Sequence, residues 1–529
     1  MLLAHDPDDV RAAEEPLLAA GAPLMDRAAF ALAVRTAHVL RAARGRVAGA
    51  HVVLLVGAGN NGGDALHAGA RLARRGVRVT ALLAAPRVHA GGLAALEAAH
   101  GRVVRVDDPA PADAVPADAA PDAAAPDDVV PERASGEPPV PPDVTALLAS
   151  ADVVLDGLLG IGARGGGVRG VGGALVAALA DVRSAAGRPL VVAVDVPSGI
   201  GVADGTAAGA VVHADLTVTF GAAKPGLLLP PAAATAGAVE TVDIGLTLPA
   251  RPAVARLETS DAADLWPVPG GTAQKYSRGV LGVVAGSAAY PGAAVLSVSG
   301  ALGAGVGMVR YVGDAGPQVL TAHPEVVVGE GRVQAWVLGS GVAPDDDAQR
   351  DRVRTALAHA VEHGEPAVVD AGALDLLPER VPPHVVLTPH AGELATLLRA
   401  RGDDVDRTDV EAAPLAHARR AHELTGATVL LKGGVTVVVG PHGTVYAQAD
   451  APAWLATAGA GDVLGGVLGA ALAGRAADVP ADPTLPAALA ALAALVHGRA
   501  AHEANPGGPV AASDVARAVP AVVRALVDA

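Results

Sequence analysis

The chain has 529 residues, room for two to four domains at roughly 100–200 residues each. Its formal charge is −16 with only 18% charged residues, and it has no basic tract to neutralise a phosphate backbone, so nucleic acid is not an expected partner. There is no cysteine, which excludes disulfides, thiolate catalysis and zinc-thiolate sites.

The opening MLLAHDPDDV lacks a basic start and turns acidic at once, so no signal peptide is expected. Apolar runs such as Leu485–Val496 fall short of the ~18 residues a spanning helix needs. No membrane partner and a cytoplasmic location are therefore expected, and the chain is expected to form a homo-oligomer. Residues 25–48 have helical apolar spacing and end near Gly45 and Gly49. HVVLLVG (His51–Gly57) reads as a buried strand, Asp64–Gly76 as a helix and Val77–Leu83 as the next strand. That is a βαβ unit and points to a parallel sheet. The pattern continues with strands at Asp152–Leu155, Leu190–Asp195 and Leu216–Phe220 and a helix at Gly173–Leu179.

Residues 107–143 interrupt it with Pro, Ala and ten acidic residues against one Arg, a net charge of −9. This composition predicts a disordered insertion within the first domain. LPARPAVARL (Leu248–Leu257) reads as the link to a second α/β series, giving expected domains at 1–250 and 255–529. The strands of the second series are Gly279–Ala285, Ala335–Leu338, Ala367–Asp370, Val385–Leu387 and Thr428–Leu431. A hairpin follows, Thr436–Val439 and Val445–Ala447 around Pro441–Gly443, and Ala-rich helices close the chain from Gly461.

Only three lysines (Lys224, Lys275, Lys432) and three asparagines (Asn60, Asn61, Asn505) occur. A chain that otherwise uses Arg keeps Lys where a compact single charge is needed. Most of these residues stand beside glycine clusters. GAGNNGGDA (Gly57–Ala65) lies between a strand and a helix, where glycines and free N–H groups receive an anion. It is neither a G-x-G-x-x-G fingerprint nor a P-loop. DGLLGIGARGGG (Asp156–Gly167) and DVPSG (Asp195–Gly199) follow two other strands. In a parallel sheet these ends share one edge, where ligands bind. Asn61, Asp156 and Ser198 are hard oxygen ligands suited to an alkali or alkaline-earth cation. Asp195 is a candidate acid or base, and Lys224 in TFGAAKPG adds an ammonium. Each aspartate alone could equally be a turn cap.

TAGAGDVLGG (Thr457–Gly466) opens a small-residue helix whose first N–H groups would form an anion hole. Asp462 follows in the first turn, placed to deprotonate a hydroxyl during phosphoryl transfer. Plain helix caps share the G-x-G-D pattern, so its neighbours decide. KGGVT (Lys432–Thr436), LTPHAGEL (Leu387–Leu394) with His390, GSG (Gly339–Gly341), QKYSRG (Gln274–Gly279) and YPGAA (Tyr290–Ala294) complete the set.

The first group of motifs resembles the YjeF N-terminal domain, the epimerase of hydrated NADH and NADPH, over about residues 10–248. The second resembles the YjeF C-terminal domain, an ADP-dependent dehydratase, over about 258–525. The resemblance implies a Rossmann-like αβα domain followed by a ribokinase-like αβα domain, and a potassium site on Asn61, Asp156 and Ser198. It implies epimerase substrate contacts at Asn60, Asn61, Gly62, Gly63 and Asp64, at Gly160, Ile161, Gly162, Ala163, Arg164, Gly165 and Gly166, and at Asp195. It further implies the hydrated nucleotide at Ala293, Gly341, His390 and Asp462, and ADP or AMP at Lys432, Gly433, Gly434, Val435, Thr436 and Gly461. The expected catalytic residues are Asp195, Lys224 and Asp462, with ADP as phosphoryl donor and magnesium at the dehydratase site. Several positions depart from the family pattern. Ala58 replaces a usual Pro, Leu158–Leu159 an aromatic-containing pair, Gln274 a His, and Ala458 and Ala460 the common Gly and Ser. The implied activity is repair of NAD(P)H hydrated at C6, with R and S forms interconverted and the S form dehydrated. Asp195 would move protons as the C6–O bond breaks and re-forms, by ring opening or by loss of hydroxide. A ribokinase-type kinase would use the same Asp462 and anion hole. A binding scaffold would lack turnover, and Asp195 and Asp462 speak against it.

Overall fold

A computed structural model describes residues 1–106, 140–162, 166–186 and 188–528. Two compact units emerge. The amino-terminal unit holds His5–Leu227 and Ala232–Ala250, and the carboxyl-terminal unit holds Met1–Ala4, Leu228–Pro231 and the chain from Arg251.

The amino-terminal unit is built on seven strands, all parallel. Their order is Arg102–Arg105, Arg78–Leu83, His51–Val56, Val153–Gly157, Leu190–Val194, Leu216–Phe220 and Ala238–Val242. Val52 to Val56 have no exposed surface. Burying each such side chain contributes roughly 1.5–3 kcal/mol, which explains an unbroken apolar run at the centre of a parallel sheet. Separate cores cover the two faces, one around Leu32, Leu66 and Leu72 and the other around Leu148, Leu175 and Leu179. The chain reverses its direction of travel across the sheet between His51–Val56 and Val153–Gly157, so a crevice opens at their carboxyl ends.

The carboxyl-terminal unit carries an eleven-stranded sheet. Its parallel centre runs through Met308–Tyr311, Val280–Val284, Ala335–Leu338, Ala367–Val369, Val385–Leu387 and Thr428–Leu431. Thr436–Val439 and Val445–Gln448 continue it as an antiparallel hairpin. The switch point lies between Val280–Val284 and Ala335–Leu338. On one face pack the Ala-rich helices Ala460–Arg475 and Leu485–Ala504 with Pro291–Gly303 and Ala512–Val527. Short side chains let these helices lie close to the strands. On the other face lie Asp347–His363 and Pro414–Thr425. Among the described residues no single helix is long and apolar enough to cross a membrane.

The structure departs from the expected elements at several points. The helix expected from Asp64 begins at Asn60, after Gly59, so the whole NNGGD run is its first turn. The stretch expected to be disordered, 107–143, runs into a helix at its carboxyl end, Pro142–Ala149, which buries Val144 and Leu148. Residues 107–139 lie outside the described residues, as do Ala163, Arg164 and Gly165. Leu2–Ala4, expected in the first domain, is an antiparallel partner of Val254–Arg256 on the second sheet.

Candidate active sites

In the amino-terminal unit the strand ends converge on a cavity of about 140 Å3. Asn60, Asn61, Asp64, Ile161, Asp195 and Lys224 line it, together with Glu14 from the helix Pro7–Ala19. Asp195 follows Leu190–Val194 with a left-handed φ of +66°, a conformation that short polar side chains tolerate best after glycine. Its Oδ1 accepts from Thr219 Oγ1 at 3.0 Å, from the Phe220 N–H at 3.1 Å and from the Lys224 ammonium. Lys224 is 1% exposed and donates as well to Phe220 O at 2.9 Å. A lysine this deep keeps its charge only beside an anion, and Asp195 supplies one.

Asn61, Asp156 and Ser198 meet beside this cavity. Asp156 is fully buried and accepts from Ser198 Oγ at 2.6 Å and from Ser198 N at 2.8 Å. Asn61 Nδ2 donates to Leu159 O at 3.0 Å and Val194 O at 2.5 Å. A Cβ on Gly160 would lie 2.5 Å from Asn61 Oδ1, so that amide oxygen faces a backbone only glycine can supply. Burial pushes the Asp156 carboxyl up to about 6 against the hydrogen bonds that favour its charge. Among the described residues no cation pairs with it. Gly62 and Gly63 are buried within the helix rather than in a phosphate loop.

In the carboxyl-terminal unit Lys432 is the hub. Its Nζ donates to Asp370 Oδ1 at 2.8 Å and lies 3.7 Å from Glu393 Oε2. Burial disfavours its charge, but Asp370, Glu393 and Asp462 more than offset this and raise its pKa. A Cβ on Gly461 would sit 3.4 Å from Nζ, which puts the ammonium against the amino end of the helix Ala460–Arg475. Asp462 is in that helix's first turn. Burial, then the Asp370 charge, push its carboxyl up to about 6, against a hydrogen bond from Ser340 and the charge of Lys432. Ser340 Oγ lies 3.1 Å from Asp370 Oδ2 as well, so one hydroxyl proton serves two carboxylates in turn.

His390 caps the helix Ala391–Ala400, its Nδ1 accepting from Gly392 N at 3.0 Å and Glu393 N at 3.2 Å. The neutral ring then carries its proton on Nε2. Thus His390 has the structural role common for such a residue and still borders three cavities. One, of about 510 Å3, is lined by Val342, Ala371, Gly372 and Glu393. Another, of about 690 Å3, is lined by Lys432, Gly433, Gly434, Thr436, Gly461 and His497. The third touches Lys432 and Val435. Gly341, with φ +66°, lies so close to Ala293 that a Cβ would approach Ala293 Cβ to 2.5 Å. The sequence reading missed Glu14, Asp370, Glu393 and His497 as cavity or network residues. Only Glu393 had a visible signal, since it stands within the strand-end motif LTPHAGEL.

Both clusters lie at the carboxyl edge of a parallel sheet, close to its switch point, and each combines a lysine–aspartate pair with glycine turns. The class so defined is an α/β enzyme with two separate sites for nucleotide-like molecules. Residues 21–226 match the family model described as YjeF-related protein N-terminus, and residues 281–520 match that of NAD(P)H-hydrate dehydratase. The bifunctional NAD(P)H-hydrate repair enzyme Nnr of Mycobacterium tuberculosis is 42% identical over 481 residues, covering 88% of each chain. That of Mycobacterium leprae is 41% identical over 516 residues, covering 94% of this chain and 93% of its own. The NAD(P)H-hydrate epimerase of Clavibacter sepedonicus is 43% identical over 250 residues, 47% of this chain and 93% of its own. A solved ADP/ATP-dependent NAD(P)H-hydrate dehydratase of Bacillus subtilis, co-crystallised with ATP/Mg2+, is 23% identical with a TM-score of 0.43, covering 51% of this chain and 98% of its own. The chain belongs to the bifunctional NAD(P)H-hydrate repair enzymes, which join an N-terminal epimerase domain to a C-terminal dehydratase domain.

Proposed function

We propose that the dehydratase site uses ADP and that Asp462 is its base. The observation that carries this is the placement of Asp462 beside Lys432 at a helix amino end. The N–H groups there and the Lys432 ammonium would hold the terminal phosphoryl group of ADP. Asp462 takes the proton of the C6 hydroxyl as its oxygen attacks that phosphorus, and AMP leaves. Phosphate then departs from C6, pushed by the ring nitrogen lone pair, and loss of a C5 proton restores the dihydropyridine. The nucleotide fits the 690 Å3 cavity by Lys432, Gly433, Gly434, Thr436 and Gly461. The hydrated ring fits near Gly341, Ala293 and the Nε2–H of His390. No group of three His, Asp or Glu residues that could cage a metal occurs among the described residues, so magnesium would enter on the phosphates, as it commonly does. Incubation with hydrated NADH and ADP should restore dihydropyridine absorbance. No recovery with ADP or ATP would sink the assignment, and accumulation of a phosphorylated vitamin or sugar alcohol would favour a kinase instead.

For the epimerase, Asp195 and Lys224 form the charged pair facing C6, with Asn60, Asn61, Asp64 and Ile161 around the substrate. Potassium fits Asn61, Asp156 and Ser198. The donors are oxygens, and a fully buried carboxylate without a cation is the group a monovalent ion would stabilise. Its positive charge would anchor the loops that shape the cavity. Replacing potassium by choline should slow epimerisation and leave the ADP-dependent step unchanged if the site is as described.

A further inference from the structure

Three carboxylates share the amino-terminal cavity with one ammonium. Asp195 is taken by Lys224, and its Oδ1 already accepts three donors. Asp64 and Glu14 remain. Asp64 is 7% exposed, and its Oδ1 has no hydrogen-bond partner. An ionised carboxylate with a buried oxygen left unpaired is far costlier than a neutral acid. Burial, followed by the charges of Asp195 and Glu14, holds its carboxyl well above the usual range. Glu14 is raised by burial and Asp195 but is relieved by Lys224 and Arg11. The charged groups facing Asp64 are therefore Glu14, Asp195 and Lys224, and the edge-to-face pair His67–His89 lies beside Gly63 on the same helix.

We propose that Asp64 is a catalytic residue of the epimerase, a neutral acid that protonates the departing C6 oxygen and recovers a proton from the water that re-adds. The proposal rests on the epimerase reading above. The C6–O bond breaks with its electron pair moving to oxygen, which takes the Asp64 proton and leaves as water. The ring nitrogen lone pair becomes an N1=C6 double bond, and Asp195, ion-paired with Lys224, faces the positive charge. Water then adds to the other face of C6, the pair returns to nitrogen, and the surplus proton passes to Asp64. One water leaves, one enters, and Asp64 ends protonated.

The test uses the full chain with the R form of hydrated NADH and no ADP, following R-to-S conversion by chromatography. Asp64→Asn should lower kcat by about 100-fold or more with KM within about threefold, and Asp64→Glu should restore part of the rate. The wild-type rate should fall as pH rises and the acid ionises, a limb missing from the residual rate of Asp64→Asn. Dehydration of the S form with ADP, unchanged in the variant, shows that the chain is folded. If the variant fails to fold, the wild-type limb and the Glu14→Gln variant, which should keep that limb, decide instead. Asp64→Asn turning over within about threefold of wild type, or a wild-type rate flat toward high pH, overturns the role of Asp64. A wild-type chain that converts no R form fails the epimerase reading itself.

Discussion

Lys432 Nζ lies 2.8 Å from Asp370 Oδ1, two residues carried by strand ends that flank a third strand. Asp370 is 4% exposed at its side chain and also accepts from Thr388 Oγ1 at 2.8 Å and from Ser340. One carboxylate thereby positions the lysine of the anion hole and raises the neighbouring Asp462. Asp370→Asn should raise KM for ADP about tenfold. It should shift the acid limb of dehydration to lower pH, since a negative neighbour of Asp462 is gone. Loss of stability on the order of 1–3 kcal/mol, read from urea midpoints, accompanies a buried group left unpaired. An unshifted acid limb would show that Asp370 does not act on Asp462.

Dehydration should depend on a single group titrating at about 6. A base works deprotonated, so kcat rises as pH increases through that value and levels off above it. Asp462→Asn should remove the activity by at least about 100-fold while R-to-S conversion continues. Parallel loss of both activities would contradict independent sites.

His497 is fully buried, its pKa is depressed to about 4 by burial, and its Nε2 has no partner. The unfolded chain binds the proton at ordinary histidine pKa, so between about 6.5 and 4 the unfolded state holds more protons. Stability from this group is therefore present above that window and lost as pH falls through it. The full difference is on the order of 3 kcal/mol. Asp462, raised by its surroundings, acts oppositely over an overlapping range. The clean measurement is therefore the pH 7 to pH 5 change in urea midpoint, compared between wild type and His497→Gln. The variant should lose less stability on acidification, and equal losses would refute the assignment.

Gly160→Ala places a methyl group 2.5 Å from Asn61 Oδ1. Either the loop or the amide must move, and the oxygen set with Asp156 and Ser198 loses its arrangement. Epimerisation should fall about tenfold or more, with ADP-dependent dehydration unchanged. A rate equal to wild type would mean that Asn61 does not need its present rotamer.

The long strands and the Ala-rich helices were legible because apolar runs bounded by glycine leave few alternatives. The edges were not, because Leu2–Ala4 and Val327–Val328 are too short to show any period. Nor was the helical start at Asn60. Two glycines in a first turn cost roughly 1 kcal/mol each by propensity, yet a Cβ on Gly62 would lie 2.4 Å from Gly57 O, so close packing decides. In the sites, Asn60, Asn61, Lys224 and Lys432 stood out because their residue types are scarce. Glu14 and Asp370 are two among 55 acidic residues, and only tertiary contact distinguishes them. Rarity marks a residue that cannot be exchanged, but it is blind to a common residue made special by burial.

The pairing of Leu2–Ala4 with Val254–Arg256 bears on how this chain can be cut. A fragment ending at residue 250 keeps a three-residue segment whose partner has been discarded. A fragment starting at residue 251 bares the unpaired edge of Val254–Arg256, a template for association with another chain. Dissecting the two activities by truncation therefore risks measuring aggregation, and point substitutions in the intact chain are the sounder instrument. For the ribosome the same pairing means that Leu2–Ala4 waits some 250 residues for its neighbour, a long-range contact that forms late.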